Sequence, residues 1–147
     1  MTYIFTGFFI HDIDLGNINS IELSQIDGDS VIKEIEKPFH GLGVRLPNYD
    51  HLRQKANDIR IGAIKDWATR LGFHEGKWIF LEYICWGGRL ESVMGLVHND
   101  TGNFVYISSD DYQDVDKVYT ELMAHFGVSE NHAMDFPPFY RKFWGTY

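Results

Sequence analysis

The sequence predicts an α+β fold: a largely antiparallel sheet with two main helices packed on one face. Three observations predict it. Apolar residues run or alternate in strand-length blocks at Thr2–Ile10, Lys77–Cys85, Leu90–His98 and Phe104–Ser109, the pattern of β-strands. Two longer segments, one after Pro47 and one after Asp110, repeat apolar residues at helical spacing. The strands of the second half follow one another through short turn sequences, which favours antiparallel hairpins over βαβ crossovers.

Thr2–Ile10 is aromatic and β-branched at both alternating sets, so this strand is expected to be buried on both faces. His11–Asp29 reads as loop, rich in Asp, Asn, Ser and Gly. Val31–Lys37 alternates as an amphipathic strand, with a short helix as the alternative, and Pro38 ends it; Gly41 and Gly43 mark a bend or a close backbone approach. The first helix is expected from a cap at Asn48 or Asp50 to Leu71, with a buried stripe of Leu52, Ala56, Ile59, Ala63, Ile64, Trp67 and Leu71 and a stop at Gly72. Lys77–Cys85 and Leu90–His98 form a hairpin around Gly87-Gly88, and Asn99–Gly102 turns the chain into Phe104–Ser109. The second helix spans Asp111–Phe126. Its apolar face is Val115, Val118, Tyr119, Leu122, Met123 and Phe126, and Gly127 ends it. The tail from Ala133 reads as irregular and aromatic, with Phe139, Tyr140, Phe143 and Trp144 expected to fold back onto the core or to form a protein–protein surface.

Length and composition bound the function classes. A chain of 147 residues is one domain, 1–147, large enough for a core without disulfides or metals. At 44% hydrophobic and 23% charged it is neither disordered nor collagen-like nor a coiled coil. The single Cys85 excludes a disulfide framework and a cysteine-rich zinc site. No apolar run has membrane-helix length, and no basic residue precedes the apolar start, so a cytoplasmic location without membrane association is expected.

Charge is distributed unevenly. The net charge is −8, and residues 90–135 hold nine acids against Lys117 alone. Such a patch repels nucleic acid and steers basic partners. Asp110, Asp111, Asp114, Asp116 and Glu121 are its densest part: an acidic docking face for a basic protein, and equally a set of caps for the second helix.

Chemistry-bearing patterns are few. Asp12 and Asp14 follow a strand but supply too few oxygens to strip a cation of its water. The seven histidines are scattered without metal-ligand spacing. Cys85 sits between Ile84 and Trp86, the setting of an inert thiol. Glu82 and Glu91 lie on the two strands of the proposed hairpin, with Arg89 at its turn and His11 at the end of the first strand. Together these four are the candidate small-molecule pocket, in which paired carboxylates could do acid–base work. A cross-strand charge pair or a solvent-exposed sheet edge is the favoured explanation of Glu82 and Glu91. No cofactor motif is present, and the want of a catalytic constellation points away from an enzyme.

The run Leu81-Glu-Tyr-Ile-Cys-Trp-Gly-Gly, followed by strand, turn, strand and a helix ending Phe126-Gly127-Val128, resembles a group of small bacterial proteins with an aromatic-Gly-Gly hairpin signature. Some of these resemble immunity proteins of toxin systems. The resemblance covers about residues 78–128. Where the pattern continues with Gly and Gln this chain has Arg89, Leu90 and Glu91, so no catalytic residue carries over. The resemblance and the acidic patch together imply a non-catalytic protein-binding module, an immunity-type inhibitor of a basic toxin enzyme. Two alternatives stand beside it: a small enzyme or ligand-binding domain with an aromatic-lined pocket, and a structural accessory protein of a mobile element that self-associates into a homo-oligomer.

Overall fold

A computed structural model describes residues 2–50, 52–86, 89–99, 101–109, 114–135 and 144, without the side chains of Thr2, Arg53 and Arg89. In chain order the elements are β1 (Thr2–His11), α1 (Ser20–Ile26), β2 (Val31–Ile35), β3 (Gly41–Arg45), α2 (Asn57–Leu71), β4 (Trp78–Trp86), β5 (Arg89–His98), β6 (Phe104–Ser108), α3 (Val115–Ala124) and α4 (Glu130–Met134). Short 3-10 turns occupy Leu15–Asn17, Pro47–Tyr49 and Leu52–Gln54. The fold is α+β. Its six strands form one sheet in the order β2-β3-β1-β4-β5-β6, and every neighbouring pair is antiparallel.

The sheet is covered on both faces, which corrects the expectation that the two main helices share one. Phe5 and Phe9 of β1 pack with Val118, Tyr119 and Leu122 of α3. Phe8 and Ile10 pack with Ile64, Trp67 and Leu71 of α2. Side chains alternate across a strand. A strand apolar at both parities, as β1 is, therefore needs a covering layer on each side.

Three elements differ from the sequence reading. The loop-like stretch contains α1, where the Asn19 side chain accepts from the Glu22 amide at 3.1 Å and Leu23 and Ile26 are buried. β3 is a strand despite its two glycines. It needs Gly43, because a Cβ there would lie 2.5 Å from Cη2 of Trp144. α2 begins at Asn57, later than expected, because the candidate caps bond elsewhere. The Asn48 amide donates to buried Asp27 at 2.9 Å, and Asp50 pairs with Arg45 at 3.7 Å.

The stripe of α2 also shifts. Ile59 is exposed and Arg60 is buried. At 3.6 residues per turn, Arg60 lies only about 40° round the helix from Ile64, whereas Ile59 lies about 140° away. Gly72 ends α2 in the left-handed region at φ 92°, as expected of a terminating glycine. α3 buries the face assigned to it and is capped by Asp114. A further short helix, α4, follows it, and Trp144 from the tail is buried against Phe5 and Phe9. The Gly87-Gly88 turn and Phe139, Tyr140 and Phe143 lie outside the described residues. No helix among the described residues is long and apolar enough to cross a membrane.

Candidate functional site

Under the N-terminal turn of α2 the sheet holds a cavity of about 270 Å³. Its floor comes from three adjacent strands: Glu82 and Ile84 of β4, Ser92 and Met94 of β5, and Ser108 of β6. Arg60, from the first turn of α2, and Gln54, from the 3-10 turn before it, complete the wall. The register explains the floor. Glu82 pairs with Met94 and Met94 with Ser108, so all three side chains leave the sheet on the α2 side.

Three polar side chains of this cavity are buried, while Ser92 is half-buried and Gln54 exposed. Glu82 is 2% exposed, Ser108 6% and Arg60 8%. Thr6, directly opposite Glu82 on β1, donates its hydroxyl to Oε2 of Glu82 at 3.2 Å. Nη2 of Arg60 donates to the Tyr106 hydroxyl of β6 at 2.9 Å and to Oδ1 of Asn57. These bonds fix the acid above β4 and the base above β6.

Of the pocket residues read from the sequence, only Glu82 belongs here. The β4–β5 ladder is bulged: Cys85 faces Leu90 and Ile84 faces Ser92, which leaves Glu91 as the extra, exposed residue. An unbulged hairpin with a two-residue turn would set Glu91 opposite Ile84 and on Glu82's face. The bulge gives that place to Ser92. His11 pairs with Gly41 on the far side of β1 and projects to the α3 face, its ring 5.2 Å from that of Phe126 and 6.1 Å from that of Phe39. Arg89 pairs with Trp86 at the hairpin end, and its side chain lies outside the described residues.

Arg60, Gln54, Ser92 and Ser108 were missed by sequence reasoning. Arg60 had a signal: it stands four residues before Ile64 and seven before Trp67, on the core-facing stripe, where an arginine is out of place unless something polar receives it. The serines had none, since a bulge cannot be read from composition.

The acidic set divides. Asp110 and Asp111 lie outside the described residues. Asp114 caps α3 by accepting from the Lys117 amide at 3.3 Å. Asp116 and Glu121 join Asp114 and Glu130 of α4 around a groove of about 460 Å³, with Ala124 and Val128 also in its wall. This groove is on α3 and α4, across the sheet from the cavity.

A third concavity, beyond the C-terminal half of α2, has His98 in its wall. His98 is 5% exposed, and its Nδ1 lies 2.6 Å from the Gly76 carbonyl oxygen. The ring stacks on Trp78, with centroids 5.6 Å apart. Among the described residues no group of three His, Cys, Asp or Glu side chains is placed to hold a metal ion. No protein-family model, curated protein or solved structure matches this chain.

Proposed function

We propose that the protein is a small-molecule-binding domain whose ligand occupies the cavity beneath the first turn of α2. One observation carries the reading: a glutamate and an arginine, each more than nine-tenths buried, stand in the wall of the same cavity. Burying a charge costs several kcal/mol of solvation, and apolar residues of similar volume often serve stability as well or better. A fold that sets both side chains in the wall of one concavity offers a polar guest groups to bind. Polar groups that converge on a concave wall are what fixes a guest's orientation in a ligand site.

The test is a screen of polar metabolites by amide NMR on the full chain. Ligands that shift the amides of Arg60, Glu82, Ser92 and Ser108 support the reading. A screen in which no compound perturbs those amides overturns it.

The α3–α4 groove supports a second reading, a docking face for a basic protein. Four carboxylates and Lys117 surround it and two apolar residues line it, a net negative wall that suits a basic segment carrying one apolar anchor. A peptide alternating Lys and Leu tests this reading. Association that slows when Asp116 and Glu121 are both changed to Lys, and that weakens with salt, supports it. Rates indifferent to both overturn it.

A further inference from the structure

We infer that the cleft beyond the C-terminal half of α2 is a second binding site, for a small neutral aromatic molecule carrying one N–H or O–H donor, of the phenol or indole kind. His98 receives the donor. The cleft is separate from the cavity beneath the first turn of α2, and neither reading rests on the other.

The floor of the cleft is a row of three rings. Trp78 of β4 pairs with His98 of β5, and His98 with Phe104 of β6, so all three leave the sheet on the α2 side. The His98 ring stacks on Trp78 and lies 4.7 Å from that of Phe104, centroid to centroid. Trp78 is covered, whereas Phe104 is 41% exposed and offers its ring to a guest. Lys65 and Thr69 of α2, and Thr101 of the β5–β6 turn, stand in the walls. The volume is about 630 Å³, within the roughly 300–1,000 Å³ usual for small-molecule clefts.

The polar group of the floor is fixed in both place and role. His98 is 5% exposed, and its Nδ1 lies 2.6 Å from the Gly76 carbonyl oxygen. A carbonyl only accepts, so Nδ1 carries a proton, and the neutral ring keeps its lone pair at Nε2. Nε2 has no hydrogen-bond partner among the described residues, and it is not sealed in the core either: it opens to the cleft.

The walls ask for a donor too. The Thr69 hydroxyl donates to the Lys65 carbonyl at 3.1 Å, and the Thr101 hydroxyl donates to Oδ1 of Asn99. Both have spent their protons, so what they have left for a guest is acceptor capacity. The Lys65 ammonium rests over the Phe104 ring, 4.1 Å from its centroid, and Glu75 brings one opposite charge to the same walls. With its histidines neutral the cleft therefore has no net charge to draw an ion. An anion would bring no donor to Nε2, and a cation would meet Lys65. A saturated alcohol supplies the donor but no ring for Phe104, and aromatic pairs gain beyond the area they bury. A flat ring with one donor on its edge meets floor and walls together.

The experiment is an NMR titration of the full chain with phenol and indole, beside anisole and 1-methylindole, in mildly alkaline buffer that keeps imidazole neutral. The methylated probes keep the ring and lose the donor. They would cover an acceptor without satisfying it, so phenol or indole should bind roughly 5–100-fold more tightly than its methylated counterpart. Amide shifts should centre on His98, Thr101 and Phe104, and the nitrogen resonance of His98 Nε2 should move with the donor-bearing probes. His98→Phe keeps a flat ring and should erase the preference. Equal affinity for parent and methylated probes, shifts centred elsewhere, an unmoved Nε2 resonance, or no binding of phenol and indole at millimolar concentration overturns the inference. Should His98→Phe fail to fold because the Gly76 carbonyl loses its donor, the four-probe series and the Nε2 resonance of the unaltered protein decide the matter alone. The cavity reading stands or falls separately, on the amides around Glu82.

Discussion

The Thr6 hydroxyl donates to Oε2 of Glu82 at 3.2 Å, between residues that face each other on the two central strands. Thr6 is fully buried, so water cannot replace it when it is lost. Thr6→Val keeps the shape and removes the donor. Taking a partner from a buried acceptor costs about 1–3 kcal/mol, and a chain of this size loses roughly 2–4 °C of Tm for each kcal/mol. In a Glu82→Gln background the same change should cost less, because an amide oxygen takes the place of the carboxylate oxygen as acceptor. Urea denaturation of the four proteins of this cycle gives the coupling. Strict additivity would mean that the carboxylate accepts this bond no more strongly than the amide does.

Trp144 is 2% exposed and lies against Phe5, with ring centroids 5.0 Å apart. Gly43 leaves the room for it, since an added Cβ would sit 2.5 Å from Cη2 of the indole and 3.3 Å from Cδ1 of Ile35. Overpacking of this kind costs about 1–3 kcal/mol. Gly43→Ala should destabilise by that much, and Trp144→Ala by about 3–5 kcal/mol as a large core side chain is lost. Combined, the two should cost less than their sum, because the alanine methyl then meets a cavity instead of a ring. Denaturation midpoints that simply add would place Trp144 elsewhere in solution.

Those two contacts mark what a linear reading could and could not reach. The expectation for β1 was sound, and its two apolar parities already required cover on both faces. Putting both helices on one face ignored that consequence. α1 announced itself in Asn19-x-x-Glu22, a capping pattern hidden among turn-forming residues. β3 was obscured because Gly41 and Gly43 are poor strand formers in isolation. The reason for Gly43 lies about a hundred residues away, in Trp144. Glu82 was legible as a strand carboxylate. Its companions depended on a one-residue bulge, which sent Ser92 inward in place of Glu91, and on the helical phase of α2, which sent Arg60 inward in place of Ile59. Neither is a property of local composition.

Alkaline pH should loosen the α3 face of the core first. Burial raises the Tyr83 phenol well above the ordinary value of 10.0, and the neighbouring Tyr3, Tyr119 and Cys85 add to the effect. Burial does the same for Tyr119. The unfolded chain releases these protons near the ordinary value while the folded protein still holds them. Stability is therefore complete below about pH 10 and falls as pH rises beyond it, toward the raised folded values, by at most ~1.4 kcal/mol per pH unit for each group. Stability curves measured between neutral and strongly alkaline pH should bend downward there. Tyr83→Phe and Tyr119→Phe should each flatten the bend by one proton's worth of slope. An unchanged slope in both variants would show that neither phenol is the linked group.

Asp114 has two separable properties, its shape as a cap and its charge beside the α3–α4 groove. Asp and Asn cap helices about equally well, whereas Ala at an N-cap costs about 1 kcal/mol. Asp114→Ala should thus lower the urea midpoint clearly, while Asp114→Asn should stay within roughly 0.3–1 kcal/mol of the parent, the worth of a carboxylate at the positive end of a helix. Charge steering depends on the carboxylate and not on the cap. If the groove receives a basic segment, both variants should slow association of the Lys-Leu peptide to a similar degree at low salt, and the slowing should vanish at high salt. If only Asp114→Ala alters association, its effect passes through the loosened first turn of α3, and the carboxylate is there for the helix alone.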